Sequence, residues 1–300
     1  MRHFLSGLCV ALAAGALAFT PRAEAETGFR LLVPEDMFMT QARQIATELD
    51  HESNLRIFPV FGDGAVSAPQ VMATYSDIGA VILPSDIPAY RRSQKLANSD
   101  GLNFVARLGS LPIYLVARQD ISTLNDLSGK RVATGPATSA TFATGELILG
   151  AAGISFLRVP LSGPDGLRAL AGGRADAALV LGNTPALASL PAGQFHVLPM
   201  SAIPQIASIY QPALLSSDDA PNLIKSGESV ETLASSVVIA VPAKARSAAL
   251  TSFESELLKY GRRSGGTNLA AEVPGWTRAS GVADLLKQTQ VNIKPTGATP

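Results

Sequence analysis

The sequence predicts an α/β protein of two lobes, each a largely parallel sheet flanked by helices, with a cleft between them. Two observations predict it. Apolar strand-like runs alternate with helix-spaced segments in two separate series, one before residue 118 and one after it. The runs end in short loops of glycine, proline and small polar residues, which in such sheets face a ligand crevice beyond the carboxyl ends of the strands.

The first series opens with Phe29–Val33 as a strand. Ala42, Ile45, Ala46 and Leu49 then recur at helical spacing over 39–50. Leu55–Val60 reads as a strand closed by Gly62-Asp63-Gly64. A helix follows, with Pro69 in its first turn, and runs to about Tyr75. Ile78–Leu83 is a strand stopped by Pro84-Ser85-Asp86. Phe104–Leu108 and Ile113–Ala117 read as two more strands.

The second series runs from Arg131–Thr134 (strand) through 139–151 (helix) and Leu157–Pro160 (strand) to Pro164–Ala171 (helix). Ala175–Leu181 (strand) and Pro185–Leu190 (short helix) follow, with Val197-Leu198 closing the set. Val237–Val241 is a late β-branched run, 245–260 a long helix and 290–300 a polar tail. The expected boundaries are a leader over 1–25, a discontinuous first lobe over 26–118 and 206–300, and a second lobe over 119–205.

Arg2, the apolar run Phe4–Phe19 and the small-x-small triplet Ala23-Glu24-Ala25 have the form of a secretory signal peptide cleaved after Ala25. The apolar run is short for a membrane span, and no later stretch reaches 18 apolar residues. Export to the periplasm is therefore expected. Cys9 is the only cysteine, so the mature chain has no disulfide and depends on its core. With 24 basic and 24 acidic residues, the chain offers no basic stripe for nucleic acid.

No catalytic site is expected. The chain lacks a Gly-x-Ser-x-Gly elbow, a Ser-x-x-Lys pair and a His-Glu-x-x-His helix. After the leader only His51 and His196 remain, which makes neither a metal site nor a bound cofactor an expectation. His196, between Phe195 and Val197, reads as structural.

The candidate residues are ligand-binding ones. Gly135-Pro-Ala-Thr138-Ser139-Ala-Thr141 follows a strand and opens a helix, where unpaired amides and the dipole favour an anion. Thr138 or Ser139 serves equally well as a plain helix cap. Asn183 and Thr184 follow the 175–181 strand and can bond a polar ligand or simply form a turn. In the first lobe, Gly64, Ser85 and Asp86 lie after strands, with Pro84 and Pro88 fixing the backbone of Asp86. Glu35, Asp36 and Asp63 also follow strands; facing the cleft they present acceptors to an amine, and otherwise they are solvated or cap helices, the reading preferred for Glu35 and Asp63.

These segments carry a resemblance. Leu124-Asn-Asp-Leu-Ser-Gly-Lys-Arg-Val with Gly135-Pro-Ala-Thr-Ser-Ala-Thr resembles a DLxGKxV phrase followed by GxxxSGT. Gly172-Gly-Arg-Ala-Asp-Ala is similar to GxxDA, Tyr75–Gly79 with Ser85-Asp86 to a further strand-and-loop motif, and Glu231-Thr-Leu to a TLG segment. Over about 29–242 the chain thus resembles solute-binding proteins of the TAXI type, the receptors of tripartite (TRAP) transporters within the type 2 periplasmic-binding superfamily.

The resemblance implies a venus-flytrap receptor without cofactor. It would be a monomer that closes on a small polar or anionic solute, such as an amino acid or organic acid, and delivers it to integral membrane permease subunits. It implies ligand contacts at Ser139, Thr141 and Asp86 and around Gly64 and 183–185. Four places depart from the pattern: Pro34–Phe38 replaces a glycine- and tyrosine-rich turn, Ala140 the central glycine of SGT, Gly64-Ala65 a Gly-Ser pair, and Pro69-Gln70 an asparagine position. The alternative expectation is an exported sensor or assembly accessory without transport.

Overall fold

In a computed structural model, the described residues are 28–53, 55–182, 185–200, 203–244, 247–264 and 271–291. The leader, Asn183 and Thr184 lie outside them. The chain forms β1 (Gly28–Val33), α1 (Met39–Ser53), β2 (Arg56–Phe61), α2 (Ala68–Thr74), β3 (Ile78–Pro84) and α3 (Ile87–Ser93). It continues with β4 (Leu102–Arg118), β5 (Arg131–Ala133), α4 (Ala140–Ala151), β6 (Leu157–Val159), α5 (Gly163–Ala171) and β7 (Ala177–Leu181). Then come α6 (Pro185–Ala188), β8 (Phe195–Val197), β9 (Gln211–Ser216), β10 (Ser229–Pro242), α7 (Ala248–Ser264) and α8 (Ser280–Val291).

The strands lie in the order β2-β1-β3-β10-β4-β7-β5-β6, with β8 on β4 and β9 on β10. β1, β2 and β3 are parallel, as are β5, β6 and β7, which gives each lobe its parallel half-sheet. The lobes are joined by strands. β4 pairs with β10 from Leu102 to Pro112 and with β7 from Ile113 to Ala117. The sequence suggests two strands here because Gly109, Ser110 and Pro112 interrupt the apolar pattern. They are one strand, because the break coincides with the change of partner from one lobe to the other. Pro112 has no N–H to give, and its carbonyl accepts the Gly182 N–H at 2.8 Å.

α1 forms as its periodicity requires, burying Met39, Ala42, Ile45, Ala46 and Leu49 on one stripe. α4 differs. It is apolar nearly all round and sits inside the molecule, with Ala140, Ala143, Ile148 and Leu149 fully buried. One apolar cluster runs from β1–β3 through β10 and β4 to α4, while a second holds Tyr114, Leu167 and Leu187 in the second lobe. Leu215, Ala220, Leu223 and Ile224 pack in that second cluster, although the sequence groups 206–300 with the first lobe.

The segment 124–176 owes its form to local bonds. Asp126 and Thr123 cap the turn at 124–127 reciprocally. Asp176 receives Arg131 Nε and Nη2 at 3.1 and 2.8 Å and the Arg131 N–H at 2.9 Å, fixing the start of β5 to that of β7. This bidentate pair holds the Asp176 carboxyl below its ordinary value. Among the described residues no helix is long and apolar enough to cross a membrane.

Candidate functional site

The loops after β1, β2 and β3 meet the start of α4 across the cleft. Ser139 is the N-cap of α4 with extended backbone, and its Oγ accepts the Phe142 N–H at 3.2 Å while donating to the Pro136 carbonyl at 2.8 Å. The cap function expected of Ser139 is therefore in place. The next amide is also taken: the Ala140 N–H donates to Glu35 Oε1 at 2.7 Å, and the Ala65 N–H donates to the same oxygen at 3.1 Å. Glu35 belongs to the first lobe and α4 to the second, so this carboxylate caps a helix 105 residues away. Burial raises its pKa, and the two amides oppose that rise.

The contact is reinforced on both sides. The Val66 N–H donates to the Thr138 carbonyl at 2.9 Å, a backbone bond between lobes. Gly64 sits at φ +101°, and a Cβ there would strike the Thr138 carbonyl. Only glycine lets these two loops meet. Gly135, at φ +85°, is likewise enclosed by Ser139 and Ser162. Tyr90 of α3 packs edge-on against Phe142 of α4, with ring centroids 6.0 Å apart.

Deeper in, Asp86 is fully buried at the start of α3. Its Oδ2 accepts Thr144 Oγ1 from α4 at 2.6 Å and Tyr210 Oη at 2.7 Å. Oδ1 has no partner among the described residues. Burial raises the Asp86 pKa against these two donors, and burial together with Asp86 drives Tyr210 well up. Ser85 is tied to the joining strand instead: its Oγ lies 3.0 Å from Ser235 Oγ, and its carbonyl accepts Trp276 Nε1 at 2.6 Å.

The structure thus brings Gly64, Asp86, Thr138 and Ser139 to one interlobe seam, with Gly135 beside it and Ser85 behind Asp86. Thr141 is buried on α4 at 2% exposure. Asn183 and Thr184 lie outside the described residues. Glu35, Thr144 and Tyr210 are the seam residues that sequence reasoning did not single out as ligand groups. α3 was also unmarked, although Pro88 in its first turn is an available signal. His196 is half-buried, and burial lowers its pKa. Among the described residues no group of His, Cys, Asp and Glu is placed to hold a metal ion. A separate groove of about 1380 Å³ lies at the opposite end of the first lobe, lined by Phe29, Arg56, Phe58, Met72 and Leu250 among others.

No protein-family model matches the chain, and no curated protein matches it in sequence. Solved structures do match. The Xanthomonas citri protein XAC2383, bound to chloride ion, is 12% identical, with 89% of this chain and 100% of that one covered and a TM-score of 0.53. A structure described as a periplasmic transporter is 13% identical, with 87% and 93% covered and a TM-score of 0.52. The chain has the two-lobed fold of type 2 periplasmic-binding proteins.

Proposed function

We propose that the chain is an exported solute-binding receptor. It captures a small polar solute between its lobes by cleft closure and passes it to a membrane transporter, of TRAP type by its sequence resemblance. It acts as a monomer in the periplasm after cleavage behind Ala25, and as a binder without catalysis or cofactor. The observation that carries this reading is the seam. One amide from each lobe, Ala65 and Ala140, converges on a single carboxylate oxygen, the arrangement a cleft needs to close on an acidic group. An amino acid or organic acid fits such a subsite, where the helix start favours an anion by about 0.3–1 kcal/mol, rising to ~2 when partly buried.

Isothermal calorimetry with a panel of amino acids and organic acids, joined to small-angle scattering, tests the reading. Saturable heat with ligand-dependent compaction is the expected result. Ser139→Ala or Thr141→Val should then lower affinity several-fold while the circular dichroism spectrum stays native. Unchanged affinity in both variants would remove the site assignment.

A second reading, a sensor or assembly accessory without transport, is favoured by one observation. The carboxylate at the seam is the chain's own, so the lobes meet without a solute. Silence with every solute, and no change in scattering, would select it.

A further inference from the structure

We propose that Glu35 is a built-in occupant of the cleft's carboxylate subsite: it holds the lobes together without solute and turns away solutes that offer only a carboxylate. The inference rests on the receptor reading in placing a solute subsite at the start of α4. Three observations carry it.

Glu35 Oε1 receives amides of both lobes, at 2.7 Å from Ala140 and 3.1 Å from Ala65. A helix start and a loop amide aimed at one oxygen form an anion site, and here the anion is covalently part of the protein. The lobes are also in register around it. The Val66–Thr138 backbone bond and the Gly64–Thr138 packing leave no width for a second carboxylate beside the first. Finally, the hydroxyl of Ser139, the remaining cap group, is committed to Pro136 and Phe142. An incoming carboxylate has to take the place of Glu35 and reproduce both of its bonds. Being intramolecular, Glu35 holds that place at high effective concentration.

The absence of cysteine after the leader makes the test direct. Spin labels at Gln94→Cys on the first lobe and Gln194→Cys on the second report interlobe distance by pulsed electron resonance. With Glu35 intact, one short distance is expected without solute, and sodium acetate should not move it. Glu35→Ala should lower the closed-to-open ratio about a hundredfold or more, as losing two charge-assisted bonds implies. Acetate at roughly ten millimolar should restore it saturably. Glu35→Gln keeps a carbonyl acceptor for Ala140 and should open less, which preserves the test if the alanine variant does not fold.

A Glu35→Ala protein as closed as wild type overturns the proposal. So does one that opens but is indifferent to acetate. If acetate rescue is seen while no panel solute binds any variant, Glu35 retains its role and the receptor reading is the one that fails.

Discussion

Tyr210→Phe is expected to destabilise the protein by roughly 2–3 kcal/mol at neutral pH and by much less in mild acid. The reason is the seclusion of Asp86. Its carboxyl is 0% exposed, one oxygen has no partner among the described residues, and the other depends on Thr144 and Tyr210. Removing the phenol leaves a fully buried carboxyl with one donor, and breaking such support costs more than the bond itself contributes.

The pH dependence has a definite sign. Burial raises the Asp86 pKa above its ordinary value of 3.8, so the folded chain holds this proton more tightly than the unfolded one. The resulting stabilisation is complete below 3.8 and is lost as pH rises through the folded-state value. Within that window it changes by at most about 1.4 kcal/mol per pH unit. Glu35, also raised by burial, adds in the same direction. Asp126 and Asp176, whose values are lowered by hydrogen bonds, act oppositely.

The informative quantity is therefore the difference between wild type and Asp86→Asn. Urea midpoints at pH 7 and pH 5 should show a gain in acid for wild type relative to the asparagine variant. They should also show Asp86→Asn no less stable than wild type at pH 7. Parallel pH profiles would mean that Asp86 is not the group responsible.

Gly64→Ala is expected to prevent the seam from forming while leaving each lobe folded. The residue holds φ +101°, a region that costs a side chain about 1–3 kcal/mol, and its new methyl would meet the Thr138 carbonyl of the opposite lobe. Backbone meets backbone there, so no rotamer change relieves the clash. Closure should become about 10- to 100-fold less favourable. Small-angle scattering should report a larger radius of gyration, and limited proteolysis faster cleavage near the exposed Pro136–Thr138 loop. Profiles identical to wild type would show that the loops part without consequence.

Much of the frame was legible because it is locally encoded. The stripe Ala42–Leu49, the cap Ser139 and the alternation around β5 to β7 need no knowledge of distant contacts. What was hidden depends on them. Glu35 looks like any solvated loop acid, because its meaning comes from a helix 105 residues away. β4 reads as two strands because its pattern resets where its partner changes at Pro112. β9 is exposed at half of its residues, at an edge beside β10, and its Gln211-Pro212 start resembles a loop. α8 was likewise unmarked, since Val282 buries against elements contributed by earlier parts of the chain. Asp86 was legible as a constrained acid, but its two hydroxyl donors were not.

The order β3-β10-β4 sets a timetable for acquiring structure. A nascent polypeptide ending at residue 228 possesses both neighbours of the central ribbon but not the ribbon itself. Until Ser229–Pro242 emerges, the middle of the sheet is a gap flanked by two unpaired edges, and loop closure over more than a hundred residues must precede its filling. Synthesis thus runs to about four-fifths of the gene before the native topology becomes attainable, giving a chaperone a long interval in which the polypeptide is still pliant.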